Sequence, residues 1–267
     1  MIAYWSFFKI RFLTKIQYRA AAIAGVITQL SWGFMYIMIY NSFYKSNPSA
    51  VPMDISQLTS YIWLQQAFLA FFMMWVLDNE IFEQISSGNV AYEMSRPLDL
   101  YNMWFTKNAA NRIAMTLLRC IPIIIVASFL PGIYKLKGTD NLEGFILFII
   151  SMIVAFIVVI AYSMLIYIFT FYTISDIGVK MVMVMISDFL SGSIIPLPLL
   201  PDKIAKVLYL LPFSSMQNTP FRIYAGTLSN AEAIKYIVLQ IFWAGILIII
   251  GKVLMKISVK KIIVQGG

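Results

Sequence analysis

The sequence predicts an all-α integral membrane protein that forms one transmembrane domain over residues 1–267. Hydrophobic residues make up 61% of the chain and charged residues 12%, whereas soluble domains have about 45–50% and about 25%. The apolar residues also occur in uninterrupted runs, several of them longer than the roughly 18 residues that mark a spanning helix. The spanning segments are expected to be helices because a segment in lipid must satisfy its own backbone hydrogen bonds.

The first segment, residues 1–20, predicts a helix that lies in the headgroup layer. Arg11, Lys15 and Arg19 are four residues apart, so on one helix they would form a cationic stripe. Aromatic side chains, Trp5 among them, flank or oppose that stripe, which is typical of interfacial helices. A basic flank of the first span is the alternative interpretation.

Six apolar runs follow, and each predicts a membrane span of about 20 residues, enough to cross a ~30 Å hydrocarbon core. Their approximate bounds are 21–43, 58–77, 105–130, 145–173, 179–195 and 233–253. Pro48 and Pro52 break the chain in the loop between the first two. Lys and Arg are more numerous on the side that holds the N-terminus, so we expect both termini to be cytoplasmic in the cell (plasma) membrane. Because these cations flank apolar runs, they indicate lipid headgroups rather than nucleic acid as the partner.

One polar stretch, residues 78–99, interrupts the apolar sequence and predicts a structured cytoplasmic segment. Gly88 can end a helix in the left-handed conformation, and Pro97 disfavours a helical Arg96. An apolar patch on the first short helix, which a partner's groove would bury, consists of Ile81, Phe82 and Ile85. A merely solvated acidic loop is the alternative.

A second unusual stretch, residues 196–226, contains five prolines. Its apolar run, 204–211, is too short to span and predicts a re-entrant or interfacial helix that opens at Pro201. Non-helical backbone at membrane depth is tolerated only where protein buries it, so we expect this segment to pack against the helix bundle.

Together the two stretches resemble the ABC type-2 transporter permeases. In the cytoplasmic stretch the matching residues are Glu83, Gly88, Val90, Pro97 and Leu98, and the Arg96-Pro97 pair is similar to the family's Arg-Pro variant. In the outer stretch they are Ser191-Gly192, Pro196, Leu200-Pro201, Leu211-Pro212 and Arg222.

The resemblance implies the membrane subunit of an ABC exporter, paired with a second copy or a related permease. Two separate ATP-binding subunits would dock on residues 78–99. No G-x-x-x-x-G-K-[ST] phosphate loop occurs in the chain, so ATP and Mg would be bound by those partners, with no catalytic, cofactor or metal residues here. The expected docking residues are Glu80, Ile81, Phe82, Glu83, Ile85, Gly88, Val90, Tyr92, Glu93, Met94, Arg96 and Pro97.

Two charged residues, Arg119 and Asp188, lie well inside predicted spans. Each would cost about 2.5–3.5 kcal/mol at the centre of the membrane if it were left alone. Their similar predicted depth leads to the hypothesis that they contact each other or share one polar network. Such a contact would either line the transport route or be a purely structural pair.

Two other classes of protein remain as alternatives. An integral membrane enzyme, such as a lipid-modifying transferase, is disfavoured because the chain has no histidine and no acid cluster beside a nucleophile. An autonomous channel or secondary transporter is the other alternative, and the absence of an internal repeat counts against the inverted-repeat transporters.

Overall fold

The computed structural model describes residues 2–46, 53–139, 141–173 and 175–260. These residues are mainly helical and contain no strand. Their α-helices are α1 (Ile2–Ile16), α2 (Arg19–Ser46), α3 (Ile55–Ala67), α4 (Leu69–Phe72), α5 (Asn79–Ser86), α6 (Val90–Met94), α7 (Leu100–Phe129), α8 (Leu142–Phe169), α9 (Asp176–Leu190), α10 (Asp202–Leu208), α11 (Asn218–Tyr224) and α12 (Asn230–Val259). The predicted loop prolines Pro48 and Pro52, and the end of the chain from residue 261, lie outside this description.

Four of the described helices are long and apolar enough to cross a membrane. They are α2, α7, α8 with the turn that follows it, and α12, with lengths of 28, 30, 31 and 30 residues. They coincide with the first, third, fourth and sixth predicted spans. The prediction of an all-helical membrane protein is therefore confirmed.

The second apolar run does not form the continuous helix predicted for it, and the fifth forms a shorter helix than predicted. The second is divided by Phe68 into α3, of 13 residues, and α4, of four, and the chain from Met73 to Asp78 is not helical. The fifth forms α9, whose 15 residues rise only about 22 Å. The predicted bounds 58–77 were thus wrong as a single helix, whereas the helix predicted at 179–195 is present with the bounds Asp176–Leu190.

The centre of the bundle is α8, which packs along α12 and also contacts α7 and α11. Most of its second half is buried, including Val158, Ile166 and Tyr167 at 0% exposure.

The close approach of α2 and α3 depends on a glycine. A Cβ atom at Gly33 of α2 would lie 2.4 Å from the ring of Trp63 on α3, so only glycine fits there.

The N-terminal segment forms a separate helix, α1, that lies along α7 and has no fully buried residue. The chain leaves the helix at Gln17 and Tyr18, and Arg19 already belongs to α2. The cationic stripe on one helix is therefore limited to Arg11 and Lys15, which corrects the prediction of three aligned cations.

The proline-rich stretch forms a 3-10 turn at Leu197–Leu199 and the short helices α10 and α11. The predicted short helix is present as α10, which begins directly after Pro201. Helix α11 is largely buried and packs against α8 and α3. The stretch therefore packs against the bundle, as expected of irregular backbone between spans.

Candidate functional site

The polar stretch at residues 78–99 forms the two short helices α5 and α6, as predicted. Asp78 caps the first helix, because its Oδ1 accepts a hydrogen bond from the Glu80 N–H at 3.0 Å. Gly88 ends it with a φ of 76°, a left-handed conformation that glycine adopts without steric cost. The chain therefore turns sharply between the two helices.

The inner face of this segment is part of the chain's own core. Ile81, Phe82 and Val90 are 0%, 3% and 1% exposed. Phe82 packs on the ring of Tyr167, with 5.0 Å between centroids. Glu93 is also buried and accepts a hydrogen bond from Trp104 Nε1 at 2.5 Å. The prediction that a partner would bury Ile81 and Phe82 was wrong, since the amphipathic helix α5 turns its apolar face to the bundle.

The outer face of the same segment is free in this chain. Tyr92 and Met94 are 77% and 41% exposed, and Glu83, Arg96 and Pro97 are exposed as well. Ile85 and Gly88 are half-buried between the two faces. Of the expected docking residues, this outer group is therefore the one that the described structure leaves exposed.

A network of charged side chains joins α5 to its neighbours. Lys107 of α7 is completely buried, and its Nζ lies 2.9 Å from Glu80 Oε2 and 3.4 Å from Asp78 Oδ2. Arg11 of α1 donates two hydrogen bonds to the Glu80 carboxylate, at 2.8 and 3.1 Å. The paired geometry makes this a bidentate contact, the strongest form of an arginine–carboxylate pair. Glu80 thereby links α5 to α1 and α7.

The electrostatic environment keeps Glu80 ionised. Its partial burial alone raises the pKa, but the hydrogen bonds and charges of Arg11 and Lys107 outweigh it and lower the pKa of Glu80 to about 2. The carboxylate is therefore charged at every physiological pH, and the link to α1 and α7 does not titrate there.

The network continues from Asp78 into the bundle. Its Oδ2 accepts a hydrogen bond from Asn111 Nδ2 at 2.8 Å, and its backbone N–H donates to the hydroxyl of Tyr167 at 2.8 Å. The same hydroxyl accepts a hydrogen bond from Asn108 Nδ2 at 3.3 Å. The start of α5 is thus bonded to both α7 and α8.

Arg112 completes the site and is fully buried. Its donors reach four backbone carbonyls in and after α4, those of Ala70, Phe71, Met73 and Val76. The shortest bonds are 2.6 Å to Val76 and 2.9 Å to Met73. Two more bonds go to Ser163 Oγ and Asn108 Oδ1. Within the described residues no carboxylate pairs with Arg112, so these carbonyls solvate its charge where the broken helix ends.

Lys107 and Arg112 were missed as site residues because they were interpreted as ordinary cytoplasmic cations. The available signal was their position inside the predicted third span, where an ionisable residue indicates a buried partner. Asn108 and Asn111 lie on the same stretch of α7 and carried no signal of their own.

The two intramembrane charges that the sequence did single out are not brought together. The guanidinium of Arg119 packs against α2 at Gly25, where a Cβ atom would lie 2.6 Å from Arg119 Cζ. Asp188 of α9 instead lies close to the backbone of Met74. No ion pair joins Arg119 to Asp188 in the described ranges, so the hypothesis of a direct contact is not supported.

The residues of the proline-rich stretch have structural positions. Gly192 has a φ of 84°, while Pro196 and Pro212 are buried and Pro201 precedes α10. The guanidinium of Arg222 lies 4.2 Å from the ring centroid of Tyr209 and 5.5 Å from that of Tyr236. These cation–π contacts fasten α10 and α11 to α12.

Comparison with known protein families identifies the class of the protein. The model of the ABC-2 family transporter proteins matches residues 30–266. The chain therefore belongs to the ABC-2 transporter family, is a multi-pass membrane protein and has the role of a permease, which confirms the resemblance seen in the sequence. The similarity of Arg96-Pro97 to one variant of the family stays a prediction. A search of curated proteins found no match to the chain.

Proposed function

We propose that this chain is the membrane subunit of an ATP-driven exporter in the cell membrane, that it pairs with a second permease, and that separate ATP-binding subunits dock on residues 78–99. The observation that carries the proposal is the two-sided character of this segment. Its inner face is bonded to three helices, α1, α7 and α8, while Tyr92 and Met94 remain exposed on its outer face.

The proposed topology has six spans with both termini in the cytoplasm. Helices α3 and α4 together would form the second span, and α9 the fifth, both shorter than the other four. Support comes from α9, in which only Ser187 is buried while Ile177, Met185 and Phe189 are exposed. An apolar surface of this kind suits lipid or a second permease.

Alternating access would be driven from the cytoplasmic side, through the polar network around Glu80 and Asp78. A displacement of α5 would act on α1 through Arg11 and on α7 through Lys107, because both pair with Glu80. It would act on α8 through the bond between Asp78 and Tyr167. ATP and Mg would be held by the partner subunits, in keeping with the lack of a phosphate loop in this sequence.

The docking proposal is tested by placing charges on the outer face. The double variant Tyr92→Glu/Met94→Glu should insert and fold normally, because both side chains are exposed. It should lose co-purification with the ATP-binding subunit, or keep the complex but uncouple ATP hydrolysis from transport. Leu142→Glu is the matched control, since Leu142 is 74% exposed at the opposite end of α8. Normal assembly and full transport in the double variant would refute the docking site.

A further inference from the structure

A polar cavity of about 380 Å³ lies where the end of α1, the start of α5 and the first half of α7 meet. Exposed residues, Lys15 and Glu83, form part of its rim, while the buried Asn111 and Arg112 line its interior.

In the proposed topology the cavity lies at the level of the lipid headgroups. From Arg112 to the last residue of α7, Phe129, the helix rises about 26 Å, close to the ~30 Å thickness of the hydrocarbon core. If Phe129 marks one edge of that core, Arg112 and Asn111 lie near the other edge. In the proposed topology this edge belongs to the inner leaflet.

Three groups around the cavity are left without an ionic or hydrogen-bonding partner by the described part of the chain. Lys15 forms no ion pair and approaches only the ring of Tyr18, at 5.9 Å. The carboxylate of Glu83 forms no ion pair either. Asn111 is 8% exposed, and its Oδ1 accepts no hydrogen bond although its Nδ2 is bonded to Asp78. An orphaned buried acceptor costs about 1–3 kcal/mol, so a donor in the cavity would be stabilising.

We propose that the cavity binds a zwitterionic phospholipid headgroup that carries a primary ammonium. The phosphate would pair with Lys15, and the ammonium would donate hydrogen bonds to Glu83 and Asn111 Oδ1. A quaternary ammonium has no N–H group and cannot satisfy that buried acceptor. A phosphoethanolamine headgroup therefore fits this chemistry best. A phosphocholine headgroup has no N–H donor for Asn111 Oδ1, and a phosphoglycerol headgroup can donate from its hydroxyls but carries no positive charge for Glu83.

The proposal is tested by titrating the purified full-length chain with phosphatidylethanolamine, phosphatidylcholine and phosphatidylglycerol of identical acyl chains, using native mass spectrometry. Phosphatidylethanolamine should bind about tenfold more tightly than the other two, a difference of about 1.4 kcal/mol. Soluble glycerophosphoethanolamine should compete if the headgroup alone is recognised. Failure to compete, with the lipid preference intact, would show that the acyl chains contribute to binding.

Variants assign the preference to the cavity. Lys15→Gln and Glu83→Gln should each reduce phosphatidylethanolamine binding to the level of phosphatidylcholine. Lys9→Gln removes the same charge from an exposed position of α1 that does not line the cavity, and should keep the preference. Equal binding of the three lipids, or equal effects of Lys9→Gln and Lys15→Gln, would overturn the proposal. Because no ATP-binding subunit is present, this outcome is independent of the docking proposal.

Discussion

Replacement of Arg112 is the most informative perturbation of the polar network. Arg112→Met keeps much of the side-chain volume but removes the donors at 2.6 Å from the Val76 carbonyl and 3.3 Å from the Phe71 carbonyl. Neither carbonyl accepts another hydrogen bond in the described part of the chain, whereas the Met73 carbonyl keeps the Val76 N–H at 3.3 Å. Each buried carbonyl left without a donor costs about 1–3 kcal/mol. Two of them cost about 2–6 kcal/mol, and the relief from burying an unpaired charge offsets part of this. We therefore expect a net loss of about 2–4 kcal/mol.

Arg112→Lys separates hydrogen bonding from charge. A lysine keeps the positive charge but has three donors on one nitrogen instead of five on a planar fork. It can therefore serve the Val76 and Met73 carbonyls or the side chains of Ser163 and Asn108, but not both groups. We expect about half the loss that Arg112→Met causes.

The measurement is the free energy of unfolding of the purified chain in mixed micelles, titrated with a denaturing detergent. Arg96→Met is the matched control, because Arg96 is exposed on the outer face of residues 78–99, and it should change stability by less than about 0.5 kcal/mol. If Arg112→Met were as mild as this control, or if Arg112→Lys were indistinguishable from the native protein, the carbonyl-solvation argument would be refuted.

Three further predictions concern single contacts. Gly33→Ala should lose about 1–3 kcal/mol by forcing a Cβ against Trp63, while Gly245→Ala, with no atom within 4 Å of the added carbon, should be neutral or stabilising in the same unfolding assay. The pKa of Glu80 is lowered from 4.5 to about 2, so the stability that its charged carboxylate adds to the folded protein is present above pH 4.5 and is lost as the pH falls towards 2. Between pH 6 and pH 3 the melting temperature of the native protein should therefore fall further than that of Glu80→Gln. Tyr167→Phe removes the hydroxyl that accepts two hydrogen bonds and should destabilise by about 1–3 kcal/mol, and a change below 0.5 kcal/mol would contradict this bonding pattern.

The long helices and the outline of residues 78–99 were predictable because they depend on local sequence. An apolar run longer than a bilayer is thick indicates a helix without reference to its neighbours. Gly88 likewise requires only its own backbone conformation to end α5. The helices predicted for the four longest runs and the end of α5 at Gly88 were confirmed, with shifts of a few residues at the helix ends, but the run 58–77 did not form one helix.

The interior of the site was not predictable because it depends on contacts between distant segments. Ile81 and Phe82 formed an apolar patch in the sequence, but nothing there showed whether the chain or a partner would cover it. The break at Phe68 was equally hidden, since Arg112, 44 positions later in the chain, supplies the donors that stabilise the ended helix. Depth alone also suggested that Arg119 and Asp188 meet, although depth does not determine which face of a helix a side chain occupies.

The arrangement of bonds around residues 73–78 determines which parts of the proposed exporter can move together. This connection between α4 and α5 is not a free linker, because Arg112 holds its first half and Lys107 and Asn111 hold Asp78 at its end. A displacement of α5 would therefore also displace α7 and the end of α4. Before this connection, α3 and α4 meet at Phe68, whose φ and ψ are −101° and 18°, and within the described residues no side chain of α7 donates to its carbonyl. Phe68 is consequently the place where we expect the second span to bend when the proposed partner subunits move residues 78–99.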